Sequence, residues 1–266
     1  MSDWIHSLPI VWMAVVLFGL TYLAAAAIWV FVHVLATRLH AHARSFSSGM
    51  LSPLGTLFAL FVVFTAAQVW NDNDQAHAAV TQEASALREA VILAAAYPGE
   101  PQERVTTLVR QHIGDAINRE WPMMTRRTGT MSVPHSLAAA LQYTLALRPN
   151  GQGQEIAQRQ MAAALESALD ARRQRILISN SAVSSVKWTC LAIEGLCVLL
   201  AVALVHCDNK LASALSLFLL ATGAGACFLV IAAYDRPFTG RLAVSPEPLL
   251  QVMPDAPPPH TDSSTH

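Results

Sequence analysis

Glu194 stands out as a carboxylate inside an apolar run of this chain. It lies in "VKWTCLAIEGLCVLLAVALVH" (Val186–His206), roughly two helical turns into that apolar run. A carboxylate at that depth in a bilayer costs a few kcal/mol unless it is paired, protonated or wetted. Two readings follow: a pore or proton-relay group, or a structural hydrogen bond between helices. A second candidate is a stripe that starts in "LGTLFALFVVFTAAQVW" (Leu54–Trp70). Leu54, Phe58, Phe61, Thr65, Gln68, Asp72 and Gln75 recur at alternating steps of four and three, so they share one helical face. The face grades from aromatic to polar to acidic. As a pore lining, Phe58 and Phe61 would form an apolar constriction and Asp72 a charged ring at the mouth. As bundle packing, the same face would turn inward, with Asp72 and Asp74 solvated at the interface.

The third candidate is "YDRPFTG" (Tyr234–Gly240), at the end of the last apolar run. Asp235, Arg236, Pro237 and Phe238 read as a helix stop and an interfacial clamp. Arg236 can reach a phosphate headgroup or a carboxylate. Pro237 bars continuation of the helix. Phe238 can tuck back toward the apolar layer, and Gly240 permits the turn.

Other chemistry finds little support. Cys190, Cys197, Cys207 and Cys227 show no C-x-x-C spacing and read as small apolar packing residues. His40 and His42, between Arg38 and Arg44, read as a solvated basic loop rather than a metal site. No Ser-His-Asp or Cys-His grouping, paired-carboxylate cleft, phosphate loop or dinucleotide fingerprint occurs, so neither an enzyme nor a resident cofactor is expected. A formal net charge of -1 gives no basic field for nucleic acid.

The elements that must position these residues are helical and apolar. Charged residues make up only 13% of the 266 residues, against about a quarter in a soluble domain. Four apolar runs are long enough to span: 9–36, 54–70, 186–206 and 211–234. The first lacks a basic n-region and runs on past its alanines, so it is expected to be retained rather than cleaved. Tryptophans and Tyr234 lie near the span ends, where amphipathic rings prefer the interface. Between the second and third runs, "VTQEASALREAVILAAAY", "ERVTTLVRQHIGDAINREW", "SLAAALQYTLAL" and "EIAQRQMAAALESALDARRQRILI" each carry a 3.6-residue apolar period. "YPGEP" and "RPNGQG" separate them. The fold expected is all-α, with four transmembrane helices and a helical extramembrane domain between the second and third. The divisions are 1–70 for the first two spans, 71–185 for the domain, 186–234 for the last two spans, and 235–266 for the helix stop and a disordered tail. No Gly or Pro falls between Thr56 and Tyr97, or between Gln154 and Glu194, so the second and third spans are expected to continue beyond the membrane as long helices. "SNSAVSS" (Ser179–Ser185) is a point where the latter could break. With four spans the termini share a side with the domain. That side carries Arg88, Arg172, Arg173, Arg175, Lys187, Arg236 and Arg241 against Arg38, Arg44 and Lys210, which points to the cytoplasm.

"YDRPFTGRLAVSPEPL" resembles the terminal signature of the bestrophin-like family of bacterial four-span membrane proteins, itself largely of unknown function. "EASALREAVILAAAYP", "INREWPMM", "ARRQRI" and the Trp188/Gly195 pair are similar to further family segments in the same order. The resemblance runs from roughly Leu54 to Leu250. It implies a distant likeness to bestrophins, pentameric anion channels with a pore-lining second helix, a hydrophobic neck and a helical cytosolic region. The acidic cluster of bestrophin calcium clasps is absent here, and Asp72 and Asp74 at a pore mouth would favour cations. The expected function is an oligomeric ion channel lined by the second span, set in lipid in the inner (plasma) membrane. The alternative is a membrane-anchored assembly or regulatory protein without transport activity.

Overall fold

The computed structural model describes residues 9–38, 48–240 and 242–255. His40, His42, Arg241 and the tail from residue 256 onward lie outside the described residues. Among those described the chain is helical and contains no strand. It forms two compact units. The first holds the residues up to Asn73 together with Ser181–Ala243, and the second holds Asp74–Asn180 together with the described residues from Val244 onward.

Among the described residues four helices are long and apolar enough to cross a membrane. They are α1 (Ile10–Arg38), α2 (Leu51–Ala94), α7 (Ser185–Val205) and α8 (Lys210–Tyr234). In the first unit Phe58, Val62 and Val69 of α2 pack with Leu191 and Val198 of α7 and with Ala224 and Ile231 of α8. Ala25 and Val32 of α1 pack with Leu199, Val202, Leu217 and Ala221. Lipid tails are as apolar as leucine, so this cohesion comes from close packing rather than from water exclusion. Gly225 shows how close that packing is. A Cβ there would sit 2.8 Å from Phe18 Cδ1 and 3.0 Å from Thr21 Oγ1. Tyr22 stacks on Phe218 beside this contact, and its hydroxyl meets Thr222 Oγ1 at 3.1 Å. Gly225→Ala is therefore expected to force Phe18 aside and cost about 1–3 kcal/mol, read as a lowered unfolding midpoint in detergent. Helix ends are capped from the sequence: Asn209 Oδ1 accepts from the amides of Leu211 and Ala212, each at 3.1 Å, at the start of α8.

The helix α2 is unbroken over 44 residues, about 66 Å. The third span is not extended in this way: "SNSAVSS" interrupts the helix between Asn180 and Ser185.

The second unit is built from the later part of α2, α3 (Glu100–Asp115), a π-helical turn (Ala116–Glu120), α4 (Trp121–Thr125), α5 (His135–Ala146), α6 (Gln152–Asn180) and α9 (Glu247–Gln251). Gly99 takes φ 89° where "YPGEP" turns into α3, and Glu100 and Glu103 fall in that helix's first turn, where its dipole favours anions. The two breakers are tied together. Tyr97 Oη donates to the Gln154 carbonyl and Gln154 Nε2 to the Ala96 carbonyl, each at 2.9 Å. Leu87, Val105, Val109, Ile113, Leu137, Met161 and Leu165 fill the core and are fully buried. The chain stays structured past the end of α8. Val244 and Leu249 are buried, and Arg110 Nε donates to the Pro254 carbonyl at 3.0 Å.

Candidate functional site

From Leu54 to Gln68 the stripe on α2 faces helices of its own chain, whereas Gln75 at its end is exposed. Phe58 is 8% exposed, meets Phe228 edge-on at 6.3 Å and lies under Gly195 of α7. Phe61 packs on the same cluster. Thr65 is buried and returns its hydroxyl to the Phe61 carbonyl at 2.8 Å. Gln68 Oε1 accepts from Lys187 Nζ of α7. Asp72 is half-buried. Among the described residues nothing covers the opposite face of α2. Thr56, Leu60, Val63, Ala67, Asn71 and Asp74 are all exposed and follow steps of four, three, four, four and three.

By helical repeat Glu194 shares a face of α7 with Lys187, Leu191 and Val198, and the last two belong to the cluster around Phe58. Its Oε2 is buried and accepts no hydrogen bond among the described residues. The four cysteines are free thiols, and no group of three metal-ligating side chains gathers among the described residues.

At the end of α8, Asp235 and Phe238 are buried. Asp235 Oδ1 accepts from the Val183 amide at 2.6 Å, in the break that precedes α7. Thr239 N donates to the Arg236 carbonyl at 3.1 Å, and Gly240 takes φ 93°. The carboxylate thus satisfies a backbone donor that the helix break leaves open.

A buried ionic network lies in the second unit, and the residue pattern alone does not announce it. Arg175 of α6 is fully buried. It grips Glu83 of α2 through Nε–Oε2 at 2.7 Å and Nη2–Oε1 at 3.1 Å, and Glu120 through Nη2–Oε2 at 2.8 Å. Its remaining amino group reaches Met124 Sδ at 3.3 Å, and its guanidinium lies 5.1 Å from the centre of the Trp121 ring. Arg172 binds the other Glu120 oxygen, Nη2–Oε1 at 2.6 Å. His112 Nε2 meets Glu83 Oε1 at 2.9 Å. Two glutamates and two arginines cancel, so burial leaves no net charge when His112 is neutral. Burial by itself would push the Glu83 carboxyl up. The Arg175 guanidinium and His112 outweigh it and hold Glu83 below its ordinary range. Burial likewise opposes charge on Arg175, and Glu83 and Glu120 reverse that, keeping the guanidinium ionised.

The local geometry explains why these residues meet. The π-helical turn Ala116–Glu120 offsets the register just before α4, and Glu120 points inward at its end. Arg172 and Arg175 lie one turn apart on the inner face of α6, with Ala168 and Ser179. Glu83 interrupts an otherwise apolar face formed by Ala76, Val80, Leu87, Ala90 and Ala94. That interruption is the signal a sequence could offer. Glu83, Glu120 with Trp121, and Arg172 with Arg175 each belong to a segment that resembled the family, and the structure brings the three segments to one point.

Four membrane-crossing helices and a helical unit locked by buried charges define an all-helical, multi-pass membrane protein. A model of the bestrophin-like domain matches residues 18–249, and the chain belongs to that family. Its fold is similar to the crystal structure of a bacterial bestrophin homolog from Klebsiella pneumoniae carrying an isoleucine-to-threonine mutation. That match has a TM-score of 0.69 and 14% identity, covering 90% of this chain and 97% of that one. A membrane protein with a serine-to-alanine substitution is similar at a TM-score of 0.68 and 14% identity, covering 90% of this chain and 94% of that one. At 14% identity this structural likeness shows the fold alone. No curated protein sequence matches the chain closely.

Proposed function

We propose that this protein is an ion channel assembled from several identical chains, with α2 of each chain facing a common axis. The observation that carries the reading is the uncovered face of α2. A helix of 44 residues presents Thr56, Leu60, Val63, Ala67, Asn71 and Asp74 away from its own bundle. Leu60 and Val63 then supply the apolar constriction, and Asn71 and Asp74 the polar mouth. The stripe Phe58, Phe61, Thr65, Gln68 and Asp72 stands behind this lining and anchors it to α7 and α8. Glu194 belongs to the same packing face. Asp235, Arg236, Pro237, Phe238 and Gly240 fasten the end of α8. Family membership supports the channel class, and a pentamer follows by analogy with bestrophins. The surplus of Lys and Arg supports a cytoplasmic helical unit and termini in an inner (plasma) membrane.

A single chain with four spans cannot enclose a pore, so assembly is the first requirement. Native mass measurement in mild detergent is expected to give a symmetric homo-oligomer. A clean monomer would remove the pore and leave the membrane-anchored assembly role as the better account.

A further inference from the structure

The segment 126–134, between α4 and α5, has a character that the channel reading does not use. It holds Arg126 and Arg127, and no acidic residue occurs anywhere from Trp121 to Gln154. Val133 is 73% exposed and Met131 46%, and Leu177 on the last turns of α6 is exposed as well. Bare apolar side chains together with cations are the composition of an interfacial membrane contact rather than of a solvated loop.

The loop is also held in place. Arg127 Nη2 donates to the Asn180 carbonyl at 2.8 Å, and Asn180 Nδ2 donates to the Gly129 carbonyl at 3.2 Å. Arg172 Nη1, from the ionic network, donates to the Ser132 carbonyl at 2.9 Å. A Cβ on Gly129 would lie 3.4 Å from the side chains of Ile176 and Ser179, so the loop rests on the end of α6. Asn180 is joined to Ser185, the first residue of a membrane-crossing helix, by four residues. Even fully extended, that connection reaches only about 18 Å.

We propose that segment 126–134 is a lipid-contacting finger that docks on the anionic headgroup surface of the chain's own membrane. Arg126 and the free part of the Arg127 guanidinium meet headgroup phosphates. Met131 and Val133 enter the apolar boundary, as does the exposed Leu177. The occupant is lipid because the finger is held to Asn180, which a short connection joins to a span, and because it carries positive charge with no acidic residue in its own stretch of sequence, 121–154.

The test uses the full chain reconstituted in vesicles. Val133→Cys is labelled with a thiol-reactive fluorophore, and the unsubstituted chain, labelled in parallel, sets the contribution of the native cysteines. The substituted position is exposed, so the fold should tolerate it. In vesicles containing phosphatidylglycerol, lipids brominated on the acyl chain are expected to quench the probe about two-fold or more over unbrominated lipid, while aqueous iodide has little effect. Quenching by brominated lipid should weaken in phosphatidylcholine alone and with Arg126→Ala. Strong iodide quenching with none from brominated lipid would overturn the proposal by placing the finger in water. Protection from both quenchers would overturn it in favour of a second copy covering the finger. Equal lipid quenching with and without anionic lipid would overturn the role given to the arginines.

Discussion

Arg175→Leu is expected to destabilise the helical unit by about 3–5 kcal/mol, because removing one partner of a buried ion pair leaves the others charged and unsatisfied. Here Glu83 is left fully buried with only His112, and Glu120 keeps only Arg172. Arg175→Lys should recover little, since an ammonium cannot reproduce the two parallel bonds to Glu83 together with the third to Glu120. The Glu83→Gln/Arg175→Leu double variant should lose less than the sum of the single losses, which reports the coupling. The pH dependence carries a sign. Glu83 has a folded pKa held below its unfolded value, so its contribution is complete above the ordinary carboxylate value of about 4.3. That contribution is lost as pH falls through the folded value. In Arg175→Leu the main attraction is gone and burial prevails, so the variant gains relative stability as the carboxyl protonates. The gap between wild type and variant should therefore be widest at neutral pH and narrow on acidification. Thermal unfolding followed by circular dichroism between pH 4 and 8 measures it, and a gap independent of pH would contradict the assignment.

Leu60→Ala is expected to raise ion flux through reconstituted protein several-fold, and Asp74→Asn to reduce the preference for cations over anions. The first removes bulk from the proposed constriction, and the second a ring of negative charge that concentrates cations at the mouth. The companions separate pore from scaffold. Phe58→Ala deletes a ring packed against Phe228 and Gly195 and should cost about 3–5 kcal/mol of stability without a selective change in conduction. Glu194→Gln should alter stability and leave the pH dependence of flux unchanged. Gains in flux from Phe58→Ala with none from Leu60→Ala would return the lining to the aromatic stripe.

Much of the architecture is legible because its causes are local. Apolar runs of spanning length, the 3.6-residue period and the breakers "YPGEP" and "RPNGQG" each act within a few residues, and the helices they imply are present, apart from the long helix expected through the third span, which breaks between Asn180 and Ser185. The orientation of a face is not local. The steps of four and three through Phe58, Thr65 and Gln68 define a helical face, but only Lys187, Leu191 and Phe228, more than a hundred residues away in the chain, show what covers it. The ionic network fails to appear in the pattern for the same reason. Glu83, Glu120 and Arg175 each look like a charge on an amphipathic helix, and the π-helical turn that aims Glu120 has no turn residue to mark it. The break at "SNSAVSS" was legible as a weak point. Its satisfaction by Asp235 was not, since that bond links positions 52 apart.

Ion flux of the purified wild-type protein in liposomes, with cations and anions substituted in turn, decides whether the assembled chains conduct. A measurable conductance that favours small cations and disappears when the protein is omitted is the expected result. No flux under any ion gradient, from protein shown to be folded and assembled, would contradict it.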